Sequence, residues 1–318
     1  MKKLVGVIMV FLFSFTLFSC VSEQESYDVY VTVYPMKFVT ERIFEGTGYT
    51  VGIVPGVTSH ENSVDWSPKE IIAMTEATYL FYVGANYDMY IDYQINSIFI
   101  NKEVELVKVE TQTSYIEFIE GVIHTEDESD EEHTLGLDPH FWISPLKVQQ
   151  VSSLIFDKLK LKFSDSENAM SNNYTKLIED LQELSDSFSE VIANATKLAM
   201  TSTNIYGYLR ADYGFDYISI SPGYHEESEQ FTSQEKQLIV DHAIENNINF
   251  IIYEMYTSSP LSNAVYDELL RLNLDPQKLE FNILQTLLDA EIVKGENYIT
   301  VMYQNLELLK LALGYEME

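Results

Sequence analysis

The feature that most constrains the fold is a long stretch without proline, which runs from Leu146 to Ser221. From Tyr174 onward, apolar residues recur in it at intervals of three and four, the spacing of one buried helix face. Before this spacing begins, residues 164–166 interrupt the helical character of the stretch. We therefore predict a connecting helical region over residues 146–195, although a long surface helix would show the same pattern.

On both sides of this region, segments rich in β-branched and aromatic residues alternate with helically spaced ones, which is typical of an α/β fold. Before it, we expect strands over residues 27–35, 49–54, 79–84 and 104–109, and helices over residues 36–44 and 67–78. After it, we expect strands over residues 197–202, 215–221 and 250–254, and helices over residues 204–213 and 232–246. The predicted fold class is α/β, with two Rossmann-like lobes over residues 21–145 and 196–318.

Residues 1–20 have the pattern of an export signal. Two lysines follow the initial methionine, residues 4–18 are almost entirely apolar, and Cys20 is the only cysteine of the chain. Leu17 and Ser19 stand where a bacterial lipobox has its apolar and small residues, so we predict cleavage before Cys20 and its lipidation. An ordinary signal peptide or an uncleaved anchor are the alternatives. The predicted location is extracytoplasmic, anchored to the cell membrane by the lipid on Cys20.

The charge of the chain narrows the classes of partner and activity. The formal net charge is −31, which argues against nucleic acid and anionic membrane surfaces as partners and is compatible with cations. Hydrophobic residues make up 46% of the chain, enough for sizeable cores. No His-Glu-x-x-His, Gly-x-Ser-x-Gly or P-loop pattern is present, and the single cysteine belongs to the lipobox. We therefore predict that the protein is not an enzyme.

Three groups of histidines are candidates for metal binding. His140 stands between two prolines, two residues after Asp138, and we expect a stiff, extended segment to carry it. His60 follows a Pro-Gly turn at the end of a predicted strand, where α/β proteins bind ligands. His124 and His133 lie in an acidic loop over residues 120–136, which could capture zinc loosely or serve as a disordered acidic spacer.

The order of several short motifs resembles that of a known family. The motifs are the Val-Pro-Gly turn of residues 54–56 followed by a histidine, the Asp-Pro-His-Phe-Trp segment of residues 138–142, and the segments 206–209, 212–215, 250–254 and 297–309. With these the chain resembles the zinc- or manganese-binding lipoproteins that serve bacterial ABC importers as solute receptors. The resemblance implies two lobes joined by one long rigid helix, with the metal in the cleft between them.

The resemblance also implies four metal ligands, and this chain departs from the pattern at two of them. His60 and His140 match the first two ligand positions. The third and fourth positions are Thr203 and Asn282, where the family has a histidine and a carboxylate. Both are neutral and weak ligands, since Zn²⁺ prefers imidazole, thiolate and carboxylate donors. His225, just after a predicted strand, is the best substitute, or else a solvated loop histidine.

Two other residues of the second half are less favoured as metal ligands. Glu254 ends a predicted strand, where we expect it to be buried and paired. His242 lies within a predicted helix, and we expect it on the surface.

These expectations together predict a receptor that captures Zn²⁺, with Mn²⁺ as the alternative, and delivers it as a monomer to an ABC permease. Because Thr203 and Asn282 are poor ligands, the alternative is the same fold with a degraded metal site that binds another solute. A third possibility is an adhesin that uses the same two lobes.

Overall fold

The first lobe is built around a parallel sheet of four strands. The structure is a computed structural model, which describes residues 26–56, 64–123, 134–224 and 232–315. The strand order in the first sheet is β2-β1-β3-β4, and all neighbours are parallel. Its strands are β1 (Val29–Val31), β2 (Val51–Ile53), β3 (Tyr79–Tyr82) and β4 (Glu105–Lys108). Its helices are α1 (Tyr34–Phe44), α2 (Pro68–Glu76) and α3 (Met89–Asp92).

An antiparallel hairpin, which the sequence did not predict, precedes the His140 segment. It consists of β5 (Glu120–Ile123) and β6 (Thr134–Leu137), and Gly121 pairs with Gly136. The strands are short and contain two glycines, so their sequences lack the apolar alternation that indicates a strand. The hairpin frames residues 124–133, which lie outside the described part of the chain together with His124 and His133.

The connecting region contains two helices, α4 (Pro145–Lys162) and α5 (Glu167–Ala193). A single 3₁₀ turn separates them at Ser164–Ser166, the predicted interruption. The predicted face of α5 is fully buried at Leu177, Leu181 and Phe188. This helix packs against α1 of the first lobe and against α10 (Tyr298–Ala312) of the second. It therefore joins the two lobes along its length, as predicted.

The second lobe repeats the topology of the first without repeating its sequence. Its parallel strand order is β8-β7-β9-β10, which corresponds one for one to β2-β1-β3-β4. The strands are β7 (Ala199–Thr201), β8 (Tyr217–Ser219), β9 (Phe250–Glu254) and β10 (Gln277–Phe281). The remaining helices are α6 (Gly207–Tyr213), α7 (Ser233–Glu245), α8 (Pro260–Arg271) and α9 (Asp289–Ile292). The predicted α/β class and two-lobe architecture are confirmed.

Three details of the predicted elements were wrong. Pro35 does not end the first strand; it lies in the first turn of α1, where its missing N–H costs nothing. Helix α7 begins at Ser233 rather than at Thr232, because Thr232 is its N-cap, whose hydroxyl accepts from the Glu235 amide at 3.2 Å. Strand β10 was missed because, as an edge strand, it buries only Leu279 and Phe281.

The largest hydrophobic core runs through both lobes and the connecting helices. Two smaller cores cover the outer sheet faces, one around Leu80 and Tyr90 and one around Ile251 and Val265. A continuous core between lobes opposes wide separation, since opening would expose apolar surface. Among the helices of the described residues, none combines the length and the apolar character needed to cross a membrane.

Candidate metal centre

His140 lies at the junction between the hairpin and helix α4. The residue is 1% exposed. The predicted extended conformation was wrong: φ is −81° and ψ is 36°, and a 3₁₀ turn (Phe141–Ile143) begins directly after it. Helix α4 then starts at Pro145, with Ser144 as its N-cap. The imidazole is therefore held by a tight turn between two regular elements.

Asp138 fixes the orientation of the His140 ring. Its Oδ1 accepts a hydrogen bond from the His140 backbone amide at 2.8 Å and lies 2.9 Å from Nδ1 of the ring. Both side chains are buried. A proton on Nδ1 that is donated to a carboxylate gives the tautomer whose Nε2 carries the metal-binding lone pair. The Asp-Pro-His segment thus forms the carboxylate–histidine pair typical of metal sites.

Aromatic rings surround this pair and keep water away from it. The Tyr224 ring centroid lies 4.7 Å from that of His140, the Trp142 centroid 5.4 Å and the Tyr87 centroid 6.5 Å. All three side chains are buried, and burial raises the pKa of Tyr87 well above its usual value. The low local polarity strengthens any electrostatic attraction between a cation and the donors placed there.

The candidate ligand Thr203 forms a hydrogen bond within the second lobe. Its hydroxyl donates to Oε1 of Glu254, and both residues are buried. Thr203 follows β7 and Glu254 ends β9, so the pair joins the carboxyl ends of two adjacent strands. The expectation that Glu254 is buried and paired is confirmed, with the Thr203 hydroxyl as the described partner.

The Asn282 side chain likewise forms a hydrogen bond, in this case with the neighbouring backbone. Its Oδ1 accepts from the Leu284 amide at 2.9 Å, which stabilises a turn with Leu284 at φ 56°. Its backbone N–H and C=O are both bonded to the Asn305 side chain, at 3.0 and 2.7 Å. The carboxamide oxygen, the donor that a metal would use, is therefore committed to the turn.

The remaining predicted ligands, His60 and His225, lie outside the described residues, as does Cys20. Within residues 26–56, 64–123, 134–224 and 232–315, no group of three or more His, Cys, Asp or Glu side chains could hold a metal. His242 is exposed on α7, as expected. The described part of the site thus provides one oriented imidazole and places Thr203 and Asn282 in structural roles.

Sequence reasoning missed Tyr224 and the glycine on which it rests. A Cβ atom on Gly121 would lie 1.6 Å from the Tyr224 hydroxyl and 2.9 Å from Cβ of Asp138. The hairpin therefore needs glycine at this position so that Tyr224 can approach the pair of Asp138 and His140. The only sequence signal was the position of Tyr224 directly before a candidate histidine.

Sequence reasoning also missed a buried carboxyl group, which lies after β3 and directly before α3. Asp88 is 1% exposed, and its Oδ2 accepts from the Thr32 hydroxyl at 3.1 Å and from the amides of Val83 and Gly84. Its Oδ1 is buried and has no hydrogen-bond partner among the described residues. Burial raises the pKa of Asp88 to about 7, against the lowering effect of the backbone donors. The side chain therefore carries a desolvation cost when it is ionised.

The two lobes meet around the His140 segment and are bonded directly to each other there. The Trp142 indole donates to the Ile283 carbonyl at 2.9 Å, and the Tyr298 hydroxyl donates to the Trp142 carbonyl at 2.7 Å. The Tyr208 hydroxyl donates to the Asp138 carbonyl at 2.7 Å. Residues just before and after His140 are thus held by the second lobe.

A cavity of about 220 Å³ lies beside these bonds, between the two lobes. Thr32, Tyr34 and Tyr87 line it from the first lobe, and Gln285 and Ile292 from the second. All five follow the carboxyl ends of sheet strands or lie in helices that begin there, the usual location of ligand sites in open α/β sheets.

Comparisons with known proteins identify relatives of the whole described chain. A family model described as "ZnuA: Zinc-uptake complex component A periplasmic" matches residues 29–312. The chain is 25% identical over 320 residues to the zinc-binding lipoprotein AdcA of Streptococcus pneumoniae strain R6, covering 99% of this chain and 62% of AdcA. It is 26% identical to the high-affinity zinc uptake system protein ZnuA of Bacillus subtilis strain 168, covering 92% and 89%. The chain thus spans about three fifths of the length of AdcA.

Solved structures of the same fold are also found. The Zn(II)-bound ZnuA-like domain of Streptococcus pneumoniae AdcA aligns with a TM-score of 0.68 at 23% identity, covering 91% of this chain and 99% of that one. The laminin-binding protein Lbp of Streptococcus pyogenes aligns with a TM-score of 0.66 at 15% identity, covering 91% and 100%. At these identities the alignments establish the two-lobe fold.

Proposed function

Because this chain belongs to the ZnuA family of periplasmic zinc-uptake components, we propose that it captures Zn²⁺ outside the cytoplasm and delivers it to an ABC importer. The observation that carries the proposal is the buried pair of Asp138 and His140 where the two lobes meet. A carboxylate that orients an imidazole in a dry site is the arrangement found around protein-bound zinc. Two relatives whose names specify zinc support the choice of this metal over manganese.

The proposed ligand set joins one described residue with two that lie outside the described part. His140 supplies an imidazole from the turn before α4, and His60 supplies a second from the first lobe. His225 replaces the ligand that the second lobe lacks, and its position directly after Tyr224, which packs on the His140 ring, supports this assignment. Thr203 and Asn282 contribute at most weak neutral contacts, since their side-chain oxygens are already hydrogen-bonded to Glu254 and to the Leu284 amide.

The proposed setting of the protein follows from its amino terminus and its family. A lipid on Cys20 anchors the mature chain to the cell membrane as a monomer, with an ABC permease as its partner. The name of one relative, a zinc-binding lipoprotein, supports the anchor. A solute-binding role requires no catalysis, and we propose none.

A second candidate function is the capture of a different solute by the same fold. It is favoured by Thr203 and Asn282, which stand where the family has strong ligands. Both side chains form hydrogen bonds within the protein. The two candidates differ in whether the imidazole of His140 is required for tight binding of zinc.

Calorimetric titration with zinc decides between them. The soluble chain from residue 22 to residue 318 is titrated as wild type and as the His140→Ala and His225→Ala variants. We expect one-site binding in the wild type and a loss of at least about 100-fold in affinity in each variant, because even residues that only orient a ligand contribute 10- to 100-fold.

The matched control is His242→Ala, which removes an exposed histidine from α7 and should leave the affinity unchanged. Weak binding that survives His140→Ala would overturn the zinc proposal and favour another solute. If His140→Ala abolishes binding and His225→Ala does not, the ligand assignment in the second lobe is wrong while the function stands.

A further inference from the structure

The hydroxyl of Tyr208, a residue of the second lobe, bridges the two strands of the hairpin that leads into the metal centre. It donates to the Asp138 carbonyl at 2.7 Å and accepts from the Ile119 amide at 3.4 Å. Ile119 directly precedes β5, and Asp138 directly follows β6. The register of the hairpin, in which Glu120 pairs with Leu137, places these two residues opposite each other.

The bridge takes the place of one bond in the hairpin ladder. Two residues of a hydrogen-bonded antiparallel pair exchange both of their N–H···O bonds. The Asp138 amide donates to the Ile119 carbonyl in this way, at 2.9 Å. The connection in the other direction, from the Ile119 amide to the Asp138 carbonyl, runs through the Tyr208 hydroxyl. The second lobe thus sets the separation of the two strands at the residue that orients His140.

Tyr208 is held firmly in this position. The residue is buried, and the ammonium group of Lys147 from α4 lies 5.9 Å from the centroid of its ring. Burial raises the pKa of the Tyr208 hydroxyl, and the negative charge of Asp138 raises it further. The hydroxyl therefore stays protonated well above neutral pH and remains a hydrogen-bond donor to the Asp138 carbonyl.

The side chain of Asp138 lies between two glycines, one on each side. A Cβ atom on Gly121 of the hairpin would lie 2.9 Å from Cβ of Asp138. A Cβ atom on Gly207, at the start of α6, would lie 2.9 Å from its Oδ2. Glycine at both positions therefore allows the hairpin and the second lobe to close on this carboxylate, while its Oδ1 lies 2.9 Å from Nδ1 of His140.

From these contacts we propose that Tyr208 and Gly207 are positioning residues for the metal site. Through them the second lobe holds Asp138 in the orientation that makes His140 a ligand. The inference rests on the proposed function, which supplies the metal. It gives the second lobe a part in zinc binding that does not require a ligand of its own. A carboxylate that fixes the tautomer of an imidazole and raises its basicity strengthens metal binding.

The tautomer of His140 tests this inference in the absence of metal. Nitrogen NMR on metal-free protein with isotope-labelled histidine distinguishes a ring proton on Nδ1 from one on Nε2, and the signals missing from His140→Ala identify this residue. The spectra are recorded at about pH 8.5, above the range in which imidazole usually titrates. We expect the Nδ1–H tautomer to dominate in the wild type and the Nε2–H tautomer to become populated in Tyr208→Phe and in Gly207→Ala.

Calorimetric titration measures the consequence for zinc. Tyr208→Phe keeps the ring and removes only the hydroxyl, so we expect the affinity to fall about tenfold, the lower end of the losses seen for residues that orient a ligand. Gly207→Ala should weaken binding to a similar extent, because the added methyl group displaces Oδ2 of Asp138.

Tyr213→Phe is the matched control, since it removes a hydroxyl from the same helix, α6. That hydroxyl accepts from the Leu146 amide at 3.0 Å and is bonded to Ser185. We expect Tyr213→Phe to lower the free energy of unfolding in urea about as much as Tyr208→Phe does. It should leave the His140 tautomer unchanged and the zinc affinity within about twofold of the wild type.

Three outcomes would count against the inference. An unchanged tautomer in both Tyr208→Phe and Gly207→Ala would overturn it. The same tautomer shift in Tyr213→Phe would also overturn it, because α6 would then act only through the stability of the fold. A tautomer shift without any loss of zinc affinity would show that the orientation of His140 does not matter for binding. Absence of tight zinc binding in the wild type would overturn the proposed function instead, and the tautomers would still show whether the second lobe positions Asp138.

Discussion

At the scale of single residues, the site depends on a small number of contacts to the His140 ring. Asp138 bonds the ring and the backbone of the same histidine, and Tyr224 packs against it at 4.7 Å. The motif of residues 138–142 was enough to predict the histidine as a ligand. It could not predict Tyr224, because that contact depends on the approach of a distant segment to the hairpin.

The close approach of the Tyr224 hydroxyl to Gly121 gives a prediction for Gly121→Ala. The new methyl group would collide with the Tyr224 hydroxyl, so the ring must move away from His140. We expect zinc affinity in calorimetry to fall about tenfold, the scale of losses when a residue that orients a ligand is disturbed.

A double variant checks the cause of that loss. The hydroxyl oxygen is the closest atom to the added methyl, at 1.6 Å, whereas Cζ lies at 2.9 Å. In Gly121→Ala with Tyr224→Phe, removal of the oxygen should restore part of the affinity. An equal or larger loss in the double variant would show that the hairpin itself, rather than the tyrosine, is disturbed.

At the scale of elements, both lobes place the same kind of contact at the same point of the sheet. In the first lobe, the Thr32 hydroxyl after β1 donates to Asp88 after β3. In the second, the Thr203 hydroxyl after β7 donates to Glu254 at the end of β9. These strand pairs correspond in the two topologies and mark the point where the strand order reverses. In each lobe a hydroxyl–carboxyl pair therefore occupies the position where such sheets commonly bind ligands.

The pair in the first lobe predicts how stability depends on pH. Burial raises the pKa of Asp88 to about 7, above about 3.9 in an unfolded chain. A carboxyl group whose pKa is higher in the folded state binds more protons there, so its contribution to stability falls as pH rises from about 4 to about 7. Asp88→Asn stays neutral and keeps an oxygen acceptor for Thr32, Val83 and Gly84.

The free energy of unfolding, measured with urea at pH 4.5 and pH 7.5, checks this prediction. Between these values the wild type should lose about 3 kcal/mol more than Asp88→Asn, because most of the shift of about three pKa units is titrated between pH 4.5 and pH 7.5. Parallel changes in the two proteins would show that Asp88 is ionised in the folded state at both pH values.

The elements also show why sequence predicted some parts of the fold and missed others. Helix α5 was predicted because Leu177, Leu181 and Phe188 repeat at helical spacing along a long segment. Strand β9 was predicted because it is continuously apolar. Strand β10 and the hairpin were missed, since an edge strand and a glycine-containing ribbon are defined by their partners more than by their own side chains.

At the scale of the whole molecule, the fold was predictable and the metal centre only in part. The alternation of strands and helices, the proline-free region and the order of motifs determined two lobes and a connecting helix. The sequence predicted Thr203 and Asn282 to be weak ligands, and only the structure shows that their side-chain oxygens are hydrogen-bonded to Glu254 and Leu284. The replacement ligand depends on His225, which remains a prediction.

The contacts between the lobes predict that zinc binding changes the overall shape little. Helix α5 packs against helices of both lobes, and one hydrophobic core passes through all of them. The Trp142 indole and the Tyr298 hydroxyl add direct bonds across the interface. Opening a hinge would break these bonds and expose apolar side chains, at about 25 cal/mol for each Å² of apolar surface.

Small-angle X-ray scattering with and without zinc tests this expectation. A hinged receptor that closes on its ligand becomes measurably more compact, whereas this one should keep its radius of gyration within about 1 Å, since packed interfaces resist continuous deformation. Trp142→Phe removes the indole donor but keeps an aromatic ring, and it should loosen the zinc-free protein more than the zinc-bound one. A large compaction of the wild type on zinc binding would mean that the bonds between the lobes form only when the metal is held, and that the structure described here corresponds to the closed state.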